Sequence, residues 1–92
     1  MNLRASEAEI LADLRYVLRE ALSVDPITPI EPETRFFADL GLASIDAVVL
    51  GEAIQRRLQR CLPFDQLLAE LGQRDERDLA IGELIAFLQR HI

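Results

Sequence analysis

Few residues in this 92-residue chain are equipped for chemistry. Ser44 and Cys61 are candidate nucleophiles, and His91 is the only imidazole. Cys61 has no His or Lys near it in sequence to lower its pKa, so it reads as a partly buried structural thiol. His91 is given no role. Asp39 and Asp46 flank Ser44, and two carboxylates can share acid–base work in a hydrolase. A chain this short offers no evident cleft to hold a substrate between them. One Cys and one His cannot assemble a zinc site of the usual kinds. Neither a catalytic set nor a metal site is expected, and Ser44 remains.

What distinguishes Ser44 is its setting. The run Phe36-Phe37-Ala38-Asp39-Leu40-Gly41-Leu42-Ala43-Ser44-Ile45-Asp46-Ala47-Val48-Val49-Leu50 carries an apolar loop through a glycine turn into a strongly apolar helix. The serine stands at the first helical position, where backbone N–H groups are unpaired and the helix dipole is positive. A phosphate ester on Ser44 is favoured there for the reason that free phosphates bind helix N-termini. The plainer alternative is a serine that only caps its helix.

The elements that must position this serine are legible. Ser6-Glu7-Ala8-Glu9 has the form of a capping box, in which Ser6 and Glu9 each satisfy an orphan N–H. Ile10, Leu11, Leu14, Val17, Leu18, Ala21 and Leu22 follow at helical spacing, which predicts a first helix over Glu7–Leu22. Asp13, Arg15, Arg19 and Glu20 lie off that stripe. Pro26, Pro29 and Pro32 forbid a second helix at once, so the connection runs over 23–43, well beyond the usual 4–6 residues. Its Ile27, Ile30, Phe36, Phe37 and Leu40 carry too much apolar surface for water. The segment is therefore expected to pack along the bundle, with a short helical turn near Arg35–Asp39.

The second helix is expected from Ser44 to about Gln59 or Arg60, with Ala47, Leu50, Gly51, Ile54 and Leu58 inward. A glycine inside a helix costs about 1 kcal/mol relative to Ala, so Gly51 implies a close neighbour. Pro63 divides this helix from a short one over Asp65–Leu71, with Leu67, Leu68 and Leu71 inward and Gly72 as its C-cap. Residues 73–78 read as a solvated linker. A last helix over Ile81–His91 turns Leu84, Ile85, Phe87 and Leu88 inward, with no evident N-cap side chain at Ala80. The expected architecture is all-α, a four-helix bundle of three longer helices and one short one with a long first loop. Residues 1–92 are read as one domain.

Composition narrows the function further. Asp and Glu number 16 against 10 Lys plus Arg, all arginine, for a net charge of −6. That balance argues against nucleic acid, whose phosphates must be neutralised by cations, and against stable docking on an anionic membrane. It suits encounters with basic protein surfaces. A single Cys forms no internal disulfide. No apolar run approaches the roughly 20 residues of a membrane span, and the acidic start at Glu7 and Glu9 is unlike a secretory leader. A cytoplasmic monomer is expected.

Asp39-Leu40-Gly41-Leu42-Ala43-Ser44-Ile45 resembles the attachment motif of acyl carrier proteins and of carrier domains in polyketide and nonribosomal peptide assembly. The likeness extends to the helix lengths, the long loop and the closing Gly82-Glu83-Leu84. The resemblance implies that Ser44 carries 4′-phosphopantetheine, transferred from coenzyme A by a phosphopantetheinyl transferase. It implies a non-enzymatic carrier of acyl thioesters in fatty acid, polyketide or related lipid biosynthesis, served by acyl ligases, synthases or acyltransferases. Asp39, Leu42, Ile45, Asp46, Val48, Val49 and Glu52 are the implied partner-contact residues.

Three departures point to a specialised carrier. Ala43 replaces the Asp usual before the serine. The second helix is acidic only at Asp46 and Glu52 and turns basic at Arg56, Arg57 and Arg60. Val48 and Val49 lie off the core stripe, Val49 where an acidic residue is common, and with Ile45 they are expected to form an apolar contact patch beside the arm. The alternatives are an aminoacyl or peptidyl carrier and a cofactor-free helical interaction module using that same patch.

Overall fold

The computed structural model describes residues 6–75 and 77–91; Glu76, within the expected linker, lies outside them. Four helices form the chain: α1 (Glu7–Leu22), α2 (Ser44–Leu58), α3 (Phe64–Gly72) and α4 (Ile81–His91). No strand is formed among the described residues, where the sole bridge joins Arg35 to Ala80. None of these helices is long and apolar enough to cross a membrane. The expected all-α bundle is what the chain adopts.

Helix α1 begins where its capping residues place it. Ser6 Oγ accepts the Glu9 N–H at 3.1 Å. Glu9 departs from the expected box, because its carboxylate accepts from the Ser6 hydroxyl at 3.2 Å instead of the Ser6 backbone. Ile10, Leu11, Leu14, Val17 and Leu18 are buried against α2 and α4, whereas Ala21, expected on the stripe, is exposed. Ser23 ends the helix in the left-handed region, φ 57°.

The 23–43 segment packs as expected through Val24, Ile30 and Phe36, all buried. Ile27 does not join them: it is 86% exposed, held at a turn between Pro26 and Pro29 whose N–H bonds Asp25 Oδ1 at 3.0 Å. The expected helical turn is one hydrogen-bonded turn over 36–40, with Asp39 and Leu40 N–H both donating to the Arg35 carbonyl at 3.1 Å.

Two arginines that the sequence pattern sets outside the core fix this segment to α1. Arg15 donates through Nε to the Ile30 carbonyl at 2.9 Å and through Nη2 to Glu31 at 2.9 Å. Arg19 reaches the Thr28 carbonyl at 3.5 Å. Prolines leave the segment without a ladder of its own, so these carbonyls need side-chain donors.

Helix α2 buries Ala47, Leu50, Gly51 and Ile54, with Leu58 half-buried. Gly51 has the neighbour its presence implies: a Cβ there would lie 3.1 Å from Phe64 Cγ. Phe64 in turn stacks tilted on Phe87, centroids 5.0 Å apart, and so links α2, α3 and α4. Gln59, φ 54°, closes α2. Helix α3 starts at Phe64, one residue before its expected start, and buries Phe64, Leu67 and Leu71. Gly72 is its last residue and not a left-handed C-cap; Gln73 follows at φ −93°.

Of the basic cluster on α2, Arg57 is committed to the fold. It bonds Asp13 at 2.7 Å and lies 4.2 Å from the centroid of the Tyr16 ring, joining α2 to α1. Arg56 and Arg60 are exposed. Cys61, expected to be partly buried, is exposed as well, because the chain leaves α2 there and Leu62 takes the buried position.

A branched side chain at residue 51 must displace an aromatic ring that three helices share. Gly51→Val should therefore destabilise the protein by about 1–3 kcal/mol, read as a lower midpoint in urea with an unchanged slope.

Candidate functional site

The approach to Ser44 is built by a turn that needs glycine. Gly41 sits at φ +68°, and its N–H donates to the Phe37 carbonyl at 3.0 Å. A residue with a Cβ is disfavoured in that conformation, so Gly41 is the point at which the chain can reverse into α2.

Ala43 is the N-cap of α2 and Ser44 its first helical residue. Asp46 Oδ2 accepts the Ala43 N–H at 2.8 Å, while the Ala43 carbonyl accepts the Asp46 N–H at 3.0 Å. Having no side-chain acceptor, Ala43 leaves the Ile45 N–H uncapped, and the Ser44 N–H, which an N-cap side chain does not reach, also has no partner among the described residues. Ser44 is exposed, and its hydroxyl makes no hydrogen bond there. The plainer reading, a serine that caps its own helix, is excluded by that geometry.

Beside the hydroxyl lies a groove of about 610 Å³ between the start of α2 and the end of α3. Its apolar walls are Phe37, Leu42, Ala47, Val48, Leu68 and Leu71, and Arg77 also lines it. Of the expected contact residues, the structure therefore brings Leu42 and Val48 together beside Ser44. Ile45, 66% exposed, lies on the outward face of α2 with exposed Glu52 and half-buried Val49. Asp39 is spent locally: its carboxylate accepts the Arg35 N–H at 2.8 Å and stands 3.7 Å from the Arg35 guanidinium. Asp39 and Asp46 thus each cap a turn of the backbone that presents Ser44.

Asp78, placed by sequence in a solvated linker, is a further support. Its carboxylate accepts the N–H groups of Phe37 at 3.0 Å, Ala38 at 3.2 Å and Leu79 at 2.8 Å. Beside it Arg74 pairs with Glu83 at 2.6 Å, and Glu83 accepts the Ala80 N–H at 3.2 Å, while the first N–H groups of α4, which Ala80 has no side chain to cap, are taken by the Thr34 and Pro32 carbonyls. The local signal was an Asp just ahead of an apolar helix; the partners 40 and 41 residues away had none.

A family model for the phosphopantetheine attachment site matches residues 12–72, well over half of the chain. The chain belongs to the acyl carrier protein family. The acyl carrier protein of Helicobacter pylori (strain ATCC 700392 / 26695) is 26% identical over 80 residues, covering 87% of this chain and 91% of that protein. This acyl carrier protein family member takes covalently attached 4′-phosphopantetheine as its cofactor. Carrier proteins are in general not enzymes themselves and work with synthases, transferases and ligases.

The residues at the start of α2 fit such a group. They offer an exposed hydroxyl with no competing hydrogen bond, two free N–H donors at a helix N-terminus suited to a phosphate, and an apolar groove alongside.

The support beneath the site is acid-sensitive. Burial pushes the Asp78 carboxyl up, but bonds from the Phe37, Leu79 and Ala38 N–H groups and the Arg35 charge outweigh it and hold it below its ordinary value. The Arg74 hydrogen bond holds Glu83 down against partial burial, and that same contact raises Arg74, which stays charged. Folded-state values below the unfolded ones contribute stability above the ordinary carboxylate range, and it is lost as pH falls through the folded values. Stability should fall on acidification below about pH 4. Asp78→Ala should cost about 1–3 kcal/mol at neutral pH and flatten that acid limb in urea titrations followed against pH.

Proposed function

We propose that Ser44 is the attachment residue, receiving 4′-phosphopantetheine from coenzyme A through a phosphopantetheinyl transferase. The observation that carries this reading is the exposed Ser44 hydroxyl, free of hydrogen bonds, at the first position of α2 beside an apolar groove. In the transfer the Ser44 oxygen bonds the phosphorus of the arm and the pyrophosphate bond of coenzyme A breaks. Adenosine 3′,5′-bisphosphate leaves, and the hydroxyl proton passes to the transferase. The attached arm supplies a terminal thiol that holds acyl groups as thioesters.

The chain's own residues present the hydroxyl and orient what is bound to it. The Ser44 and Ile45 N–H groups face the phosphate position with the positive end of the α2 dipole. Asp39, through the 36–40 turn, and Asp46, through Ala43, fix the direction in which the hydroxyl points. Both also keep negative charge near Ser44, a mark for the basic face of a transferase. Ile45 and Val49 form an apolar contact surface on the outward face of α2, Val48 and Leu42 continue it into the groove beside the hydroxyl, and Glu52 adds charge farther along α2. Residues 1–92 act as one carrier domain, monomeric and cytoplasmic, without catalytic activity of its own.

The cargo is an acyl intermediate of fatty acid, polyketide or related lipid biosynthesis, exchanged with acyl ligases, synthases or acyltransferases. The basic end of α2, where Arg56 and Arg60 are exposed, sets this carrier apart from one that presents a uniformly acidic second helix. It is accordingly a specialised carrier.

Incubation with coenzyme A and a broad-specificity phosphopantetheinyl transferase should add one arm, seen by intact-protein mass spectrometry and absent from Ser44→Ala. No mass gain with several transferases would overturn the attachment reading in favour of a cofactor-free interaction module. The specialised role predicts that this chain does not replace the housekeeping carrier of fatty acid synthesis in cells, and full replacement would refute it.

A further inference from the structure

The groove beside Ser44 is apolar on all sides but one. Six apolar side chains form its walls, and the charged side chain lining it is Arg77. Three charged side chains of the neighbouring segments are engaged elsewhere. Arg74 is bound to Glu83, Asp39 to the Arg35 backbone and guanidinium, and Asp78 to three backbone N–H groups. Arg77 makes no ion pair or hydrogen bond among the described residues, and exposed Asp75 does not reach it. Asp78, the next residue, holds the backbone next to Arg77 against the Phe37 turn, so Arg77 is delivered to the groove by an anchored segment and not by a free tail.

We propose that the groove selects acyl cargo whose chain is apolar along its length and ends in a carboxylate, with Arg77 as the specificity-determining residue. This inference rests on the reading of Ser44 as the attachment residue. An aliphatic segment leaves water by lying against Phe37, Leu42, Ala47, Val48, Leu68 and Leu71. A chain ending in methyl gains nothing further from a guanidinium. One ending in carboxylate gains a charge-assisted bond to the guanidinium fork. Arg77 is exposed, so the carboxylate stays partly hydrated as it pairs, and the desolvation penalty that burdens buried ion pairs is largely avoided. Walls without a cation would favour the methyl-ended chain, because only a carboxylate must then give up water unpaired.

The test uses the full-length protein and two cargoes of equal length, octanoyl-coenzyme A and its ω-carboxyl counterpart suberyl-coenzyme A. A broad-specificity transferase loads each onto wild type, Arg77→Gln and Arg77→Lys, with mass spectrometry confirming one acyl arm per chain. Thermal unfolding and amide chemical shifts of Phe37, Ala47 and Leu71 are then read without any partner enzyme. The expected result is a suberyl form that unfolds several degrees above the octanoyl form in wild type. That difference should vanish in Arg77→Gln and return in part in Arg77→Lys, while the octanoyl form is unchanged by either substitution. An octanoyl form at least as stable as the suberyl form would overturn the proposal, as would a suberyl advantage that survives Arg77→Gln. An Arg77-dependent shift already present with the unacylated arm would place the guanidinium on the arm's phosphate and overturn it too. Failure to load any cargo would refute the attachment at Ser44, a separate outcome read directly from the mass.

Discussion

A long segment with three prolines cannot satisfy its own backbone, and the conformation around Ser44 depends on where that segment finds its partners. Arg15 and Arg19 of α1 take the carbonyls of Ile30 and Thr28. The start of α4 takes others, with Ile81 N–H donating to the Thr34 carbonyl and Gly82 N–H to the Pro32 carbonyl, both at 2.8 Å. Asp78 takes the N–H groups of Phe37 and Ala38. Phe36, fully buried, is thereby locked into the core. The 36–40 turn is set against the bundle, and Gly41 then has one direction in which to reverse the chain. Exposed ion pairs would contribute little to such a lock; backbone groups held by charged side chains in partly buried positions contribute more.

The chain elements visible in sequence were those governed by local physics. Helical periodicity located α1 and α4 at their observed ends and α2 nearly so, since each is long and amphipathic. Gly51 announced a close neighbour because a glycine inside a helix is costly without one, although sequence could not name Phe64. The departures from local expectation share a cause. Hydrophobicity places Ile27 in the core, but the neighbouring prolines hold it at a turn that points it to solvent. Residue type suggests partial burial for Cys61, yet the chain departs from α2 at that point and leaves it exposed. Arg15, Arg19 and Asp78 look like solvated surface because their partners are distant in sequence, and no local pattern encodes a contact 41 residues away.

Residue order places Ser44 at the start of α2 behind a glycine turn, and the three-dimensional arrangement adds the groove beside it. Of its lining, Leu42 and Val48 belong to the neighbourhood of Ser44, whereas Leu68, Leu71 and Arg77 arrive from α3 and the connection that follows it. Leu68 was expected to face the core and is half-buried at the groove instead. A side chain that looks inward on a helical wheel can line a binding groove when the neighbouring helix stops short of covering it.

Ala43 shows how the local cost of a sequence choice can serve the site. An Asp or Ser at that N-cap would accept an N–H of the first turn and add about 1 kcal/mol to the helix. Alanine forgoes that contribution. Asp46 recovers part of the loss by holding the Ala43 N–H from within the first turn, and the aspartate also lies favourably in the helix dipole. What this exchange leaves open is the pair of donors at Ser44 and Ile45. A capping side chain at residue 43 would compete with any phosphate on Ser44 for the Ile45 N–H. The less stable start of α2 is therefore the one better prepared to receive a phosphate, with its donors already oriented and no internal bond to break first.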